Sequence, residues 1–384
     1  MKQIINSRIV TCDGILDDKV LVFSDKIEGI EECPRECVET IDANGKYVIP
    51  GLIDLHVHGA YGHEANEGTE QAITAVAKNA LRTGVTAFLP TTSTVSFETL
   101  EKAFDCTRSL KKRQKSDREY AKSTATILGI HAEGPFLNLK KIGAQNPEHV
   151  KPIDFDFVKK NSDVIKLITV APELDTDYAR IKRIVSETDI IVSAGHTSAD
   201  YETMLLAIDA GVTHATHFFN AMPALSHREP GGAAALLFSD KVSCELIPDT
   251  FHVNPAWYKP LHTLKGRTLN LITDAVMACG LPDGTYDLGG LPIELKGIAC
   301  RLADGSQTIA GSVLTLNKGV CNFHKYSGLP LHEAVNCASL YPAQTLGIDG
   351  ERGQIKAGLV ADLVICNEEL DIISVIKNGE MAEI

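Results

Sequence analysis

Two histidines two residues apart, His56 and His58, close the apolar run GLIDLHV, and His131 and Glu133 close TILGIHAEG in the same way. In an extended chain, side chains at i and i+2 point to one face, so each pair presents two candidate ligands side by side. His196 ends IIVSAGH, His214 and His217 end VTHATHF, His252 follows VSCELIPD, and Asp274 closes LNLITDA. Taken singly, a histidine at a strand end is more often a hydrogen-bonded core or surface residue than a ligand. Gathered at the ends of six strands, imidazoles and carboxylates are costly to bury without a common partner. Neutral imidazole nitrogen and carboxylate oxygen suit a divalent Zn, Fe(II), Mn or Co. Such an ion turns bound water into hydroxide near neutrality and polarises a carbonyl. Asp274 beside it could act as general base and then return the proton to a leaving nitrogen. The competing reading of Asp274 is an N-cap for the following helix.

These residues need a scaffold that brings six strand ends together. The first fifty residues alternate β-rich stretches (KQIINSRIV, KVLVFS, YVIP) with turn clusters, the pattern of a small antiparallel sheet. From Gly51 onward short apolar runs alternate with helical stretches such as EQAITAVAKNALRTG, giving eight strand candidates. Eight such units predict a (β/α)8 barrel, whose catalytic groups sit at the C-terminal strand ends. A doubly wound sheet is disfavoured because no GxGxxG turn follows an early strand. A closed structural zinc site is also disfavoured, since the candidates converge where a barrel opens to water. After the eighth strand come a Gly-rich hairpin-like insertion (LPDGTYDLGGLPIELKG), two helical segments and a β-rich tail. Residues 1–50 and 345–384 are expected to form one discontinuous β-domain, because a lone N-terminal sheet would have too few strands. Residues 51–344 are then the barrel.

With 384 residues, 44% hydrophobic and 23% charged, the chain can bury a large core. A net charge of −13 argues against nucleic acid or anionic lipid as a partner. Lys111, Lys112, Arg113 and Lys115 read as a solvated helix end. No apolar run reaches the length of a membrane span, and Asn6, Ser7 and Arg8 interrupt the opening too early for a signal-peptide core. Ten cysteines show no CxxC spacing, with Cys33 and Cys37 the one close pair, so reduced thiols and a cytoplasmic location are expected.

HxH after the first strand, HxEGP at 131–135, AGHT at 194–197, THFFNAM at 216–222, REPG at 228–231 and TDAVMACGLPDG at 273–284 resemble the N-acetylglucosamine-6-phosphate deacetylase family of the amidohydrolase superfamily. The resemblance runs from PGLIDLHVHG to AGLVADLV. It implies an α/β fold, a deformed (β/α)8 TIM-type barrel with a small β-sandwich built from both termini. It implies hydrolysis of the acetamide of an amino-sugar 6-phosphate. Glu133, His196 and His217 would hold the main metal, and Asp274 would be the acid/base. Asn220, the backbone at Ala221, His252 and Arg228 would contact the sugar phosphate, with Arg228 reaching over from the neighbouring subunit of a homodimer. Ala144, Gln145, Ile309 and Ala310 would line the sugar. Because His56 and His58 are present, a second metal bridged through Glu133 is expected to be able to bind. Gln145 stands where some members carry a histidine, so carbonyl polarisation would lean more on metal. With His227 and His252, Arg228 gives an acidic chain a local positive patch for phosphate; without the motif it would read as a surface ion pair with Glu229. His63 reads as a loop residue rather than an accessory ligand.

Three alternatives are carried forward. The galactosamine epimer is one. A cyclic amidohydrolase of the dihydroorotase or hydantoinase kind shares HxH and the strand-eight aspartate, but bridges its metals with a carbamylated lysine. The nearest candidate, Lys166, lies well before its strand's end. A metal-dependent sensor without turnover is disfavoured by the intact Asp274.

Overall fold

The structure is a computed structural model that describes residues 1–383. Eight parallel strands follow one another in chain order: β1 (Leu52–Val57), β2 (Val85–Thr92), β3 (Ile130–Glu133), β4 (Ile165–Val170), β5 (Ile191–Ala194), β6 (Val212–Ala215), β7 (Ser243–Leu246) and β8 (Leu269–Leu271). The residues just past β8 close the circle, since Val57 bridges Ala275 and the Asp274 amide donates to the His56 carbonyl at 2.8 Å. A register shift between Asp54 and Val57 bends β1 where it meets β2. The expected (β/α)8 barrel is therefore present.

Each strand is followed by a helix, and a capping side chain marks the start of four of them. Thr69, Ser96, Asp154 and Asp200 accept backbone N–H bonds at the starts of helices Glu70–Arg82, Phe97–Ser116, Phe155–Lys160 and Tyr201–Ala210. The helices bury Ile73, Phe104, Val158, Met204 and Leu236 against outward-facing strand residues such as Phe88, Ile168 and Val192. A separate cluster joins Ile53, Leu55, Ala87, Leu89, Leu167 and Ile272 to Ala343 of helix Leu340–Thr345. Packed layers of apolar side chains of this kind fill a barrel's interior and leave chemistry to its open end.

Strands from both ends of the chain share one eight-stranded mixed sheet, in which Leu363–Cys366 pairs antiparallel with Tyr47–Pro50 and Lys2–Thr11 pairs with Gly14–Phe23. Ile4, Ile9, Phe23, Val48, Leu363 and Ile376 give it a core of its own. The insertion after β8 is a three-stranded antiparallel sheet, Gly284–Leu288, Leu291–Lys296 and Ala299–Leu302. Its first turn places Gly289 and Gly290 at φ of 55° and 88°, a tight hairpin geometry open to glycine. Leu288, Ile293 and Cys300 pack on Val276, so this sheet walls one side of the barrel mouth.

Candidate active site

At that mouth lies a cavity of about 350 Å³, lined among others by His58, Glu133, Gln145, His196, His217 and Asp274. Strand direction explains the convergence, because all of these side chains but Gln145, which comes from the loop after β3, sit at or just beyond the C-terminal ends of β1, β3, β5, β6 and β8. His196, His217 and Asp274 have φ of 47°, 30° and 51°. Non-glycine residues rarely take such values, which cost of order 1–3 kcal/mol each and cluster at functional sites. Gly143, at φ 60°, brings the loop after β3 against His196; a Cβ there would stand 3.2 Å from His196 Cε1.

Two clusters of ligand atoms meet on one carboxylate. Glu133 Oε1 lies 2.9 Å from His217 Nε2 and 3.3 Å from His196 Nε2. Glu133 Oε2 lies 3.3 Å from His58 Nε2, and His56 Nε2 is 3.1 Å from His58 Nε2. Asp274 Oδ1 stands 3.4 Å from His56 Nε2 and 3.3 Å from His58 Nε2. In the triads His56, His58, Glu133 and Glu133, His196, His217 the ligand atoms lie within 4.8 Å of one another, and all these residues are buried. The donor chemistry fits a divalent cation. His196 Nδ1 faces the Lys141 carbonyl at 2.9 Å and must donate to it, so a neutral His196 aims its Nε2 lone pair at the Glu133 oxygen. Two acceptors at that distance repel unless a cation or a proton lies between them.

Protons are held tightly here. Burial would strip His58, but hydrogen bonds to Asp274 and Glu133 outweigh it and push it up to about 10. His217 is likewise pushed up to about 9, burial being overcome by Glu133. Burial would raise Glu133, yet the charge of His56 and the bonds from His217 and His58 hold it well below the carboxylate range. Asp274 is lowered in the same manner, by His56 and His58 against burial.

The other expected residues fall in three groups. Ala144, Gln145, Asn220, Ala221, His252 and Ile309 line the cavity, and His252 Nδ1 is fixed 2.6 Å from Asp249. Ala310 is fully buried behind the wall, between lining residues Ile309 and Gly311. Arg228 and His227 are exposed on the segment after β6 and do not line the cavity. Gln145 is engaged at both ends, donating to Glu133 Oε2 and accepting from the Thr94 amide at 2.6 Å, so it orients the carboxylate as well as the cavity wall. His131 is removed from the site by its partners, the Leu55 carbonyl at 3.2 Å and the Thr169 hydroxyl at 2.7 Å. Burial and the charge of His56 push it down to about 3. His214 bonds Ser193, and His63 bonds Glu67 in its loop. Lys166 lies at the start of β4 and does not line the cavity.

Sequence reading passed over Ser93, which bonds His58 Nδ1 at 3.3 Å, the Lys141 carbonyl on His196, and Glu245. Glu245 had a signal: it is a carboxylate between the apolar Cys244 and Leu246 of a short strand, and all three are fully buried.

A family model described as the amidohydrolase family matches residues 47–382. The chain is 36% identical over 376 residues to an N-acetylglucosamine-6-phosphate deacetylase of Bacillus subtilis, covering 96% of this chain and 92% of the relative. It is 31% identical over 380 residues to an N-acetylgalactosamine-6-phosphate deacetylase of Escherichia coli O157:H7, covering 98% and 97%. Among solved structures, N-acetylglucosamine-6-phosphate deacetylase from Pasteurella multocida matches with a TM-score of 0.91 at 31% identity over 100% of each chain.

Proposed function

The chain belongs to the amidohydrolase family, and from that premise we propose that it removes the N-acetyl group from N-acetyl-D-glucosamine 6-phosphate, releasing acetate and D-glucosamine 6-phosphate. The observation that carries this reading is the pair of ligand clusters on Glu133 with Asp274 beside them in one cavity. It agrees with the activity named for the Bacillus subtilis relative.

Glu133, His196 and His217 would hold one divalent ion, and His56 and His58 together with Glu133 a second; Glu133 Oε1 faces His196 and His217 while Oε2 faces His58. Zn, Fe(II), Mn and Co all suit this donor set. When bound, the ion supplies Lewis acidity and makes a water acidic enough to ionise near neutrality. Asp274 takes the proton of the attacking water and hands it to the sugar nitrogen as the C–N bond breaks. Asn220, the Ala221 amide and His252 hold the phosphate, Ala144, Gln145 and Ile309 flank the sugar, and Ala310 supports that wall from behind. Arg228 completes the phosphate site of the partner subunit in a homodimer, which accounts for its exposure within one chain. Its guanidinium suits bidentate phosphate binding. Residues 1–50 and 345–384 form the companion domain and 51–344 the catalytic one. The ten free cysteines support a reducing, cytoplasmic setting.

The test follows acetate release from the 6-phosphates of N-acetylglucosamine and N-acetylgalactosamine, with metal analysis of the same preparation. Preferred turnover of the gluco epimer is expected. Preference for the galacto epimer would move the substrate, and turnover of neither would overturn the assignment.

A further inference from the structure

Glu245 is fully buried on β7, beneath the ligand clusters. Its Oε2 lies 2.9 Å from His56 Nδ1 and accepts the His217 backbone N–H at 2.8 Å. One carboxylate oxygen thus ties a ring on β1 to the strained backbone that carries a ligand after β6. In neutral His56, the form that can bind a metal, donation through Nδ1 leaves the Nε2 lone pair facing His58, Glu133 and Asp274. A carboxylate behind an imidazole fixes the tautomer and ring orientation and raises the ring's basicity as a ligand.

The far side of Glu245 is just as constrained. A buried chain runs from the Leu55 carbonyl through His131, Thr169, Thr216 and Ser193 to His214 Nδ1. Its direction is forced by the carbonyl, which can only accept. His131 spends its Nδ1–H there, so each hydroxyl in turn donates one step back along the chain, and His214 must donate through Nδ1 to Ser193. The Nε2 of a neutral His214 is then an acceptor. It lies 3.9 Å from Glu245 Oε1, and neither atom has a hydrogen-bond partner among the described residues.

We infer that Glu245 is a positioning residue that holds His56 in its metal-binding tautomer and so governs occupancy of the ion at His56 and His58. This rests on the assignment of those histidines to a second ion. The chain above makes Glu245→Gln a clean test. The amide oxygen can accept from His56 and His217 as before, and the amide nitrogen would replace Oε1 3.9 Å from the His214 Nε2 acceptor, facing a lone pair instead of another acceptor, so the fold is kept while the charge is removed.

The experiment titrates metal-free parent, E245Q, H56Q and the E245Q/H56Q double variant with Co(II), reading stoichiometry and the visible ligand-field bands, with thermal midpoints of the metal-free proteins as a folding check. The parent is expected to take two ions. E245Q is expected to keep the first unchanged and bind the second about 10- to 100-fold more weakly, with altered bands. In the H56Q background E245Q should change nothing further. Two ions bound by E245Q with parental affinity and bands would overturn the inference. So would a loss in the H56Q background equal to that in the parent, since Glu245 would then act elsewhere. One ion in the parent, unchanged by H56Q, would instead remove the assignment of His56 as a ligand, and this inference with it.

Discussion

The Nε2 atoms of His196 and His217 lie 3.0 Å apart with Glu133 Oε1 beside both. His196 cannot supply a proton to this contact without becoming charged, because its Nδ1–H is committed to Lys141. The arrangement favours a shared cation, and an ion that binds only the native state stabilises it by mass action. Chelation of the purified protein should therefore lower its thermal midpoint by a few degrees and abolish turnover, both restored by Zn or Mn. Glu133→Gln, which removes the shared charge, should melt at one temperature with or without chelator. A chelator response retained in that variant would place the stabilising ion elsewhere.

Asp274 stands at φ 51°, a conformation that asparagine tolerates better than most residues. Asp274→Asn should therefore preserve the backbone, retain metal and lower kcat by at least about 100-fold, the usual scale for losing an acid/base group. The measurement is steady-state acetate release beside metal content. Near-parental kcat in a metal-loaded variant would take Asp274 out of the proton transfers.

The convergence of these residues was legible because the strand rhythm after Gly51 and the placement of His56, His58, Glu133, His196, His217 and Asp274 at strand ends both point to one barrel mouth. The sheet shared by both termini was legible from its β-rich stretches. Other features depended on pairings with no local signature. His131 and Glu133 share an i, i+2 pattern, yet one faces Thr169 below the site and the other the two histidine clusters. Glu245 and Lys141 act through atoms contributed by strands far away in sequence, and the third strand of the insertion, Ala299–Leu302, lay beyond the glycine-rich stretch that announced the hairpin.

Arg228 is exposed and outside the cavity of its own chain. Arg228→Ala should raise KM for the phosphorylated sugar by about 10-fold or more, given the strength of charge-assisted bonds, and leave an unphosphorylated analogue unaffected. At substrate well below KM, mixing R228A with D274N under subunit exchange should recover about a quarter of parental kcat/KM, because half the dimers would be mixed and each would hold one complete site. No recovery on mixing would confine Arg228 to its own subunit.

Asp54 is buried at the β1–β8 seam, where it accepts from the Thr273 hydroxyl at 2.7 Å and from the His56 and Thr273 amides. Burial is the larger influence and pushes its carboxyl up to about 7, those hydrogen bonds offsetting only part of the cost. The folded form thus binds the proton more tightly than the unfolded chain, whose ordinary value is 3.8. The stability linked to this proton is full below pH ~4, is lost as pH rises towards ~7, and changes no further above it. Asp54→Asn keeps the shape, and the amide can donate to Thr273 Oγ1 while that hydroxyl donates to the His56 carbonyl 3.2 Å away. In urea unfolding of the metal-free proteins, parent minus D54N stability should fall by about 4 kcal/mol across that window, at roughly 1.4 kcal/mol per pH unit. A difference that stays level from pH 4 to 8 would mean that Asp54 ionises in the fold as readily as in the unfolded chain.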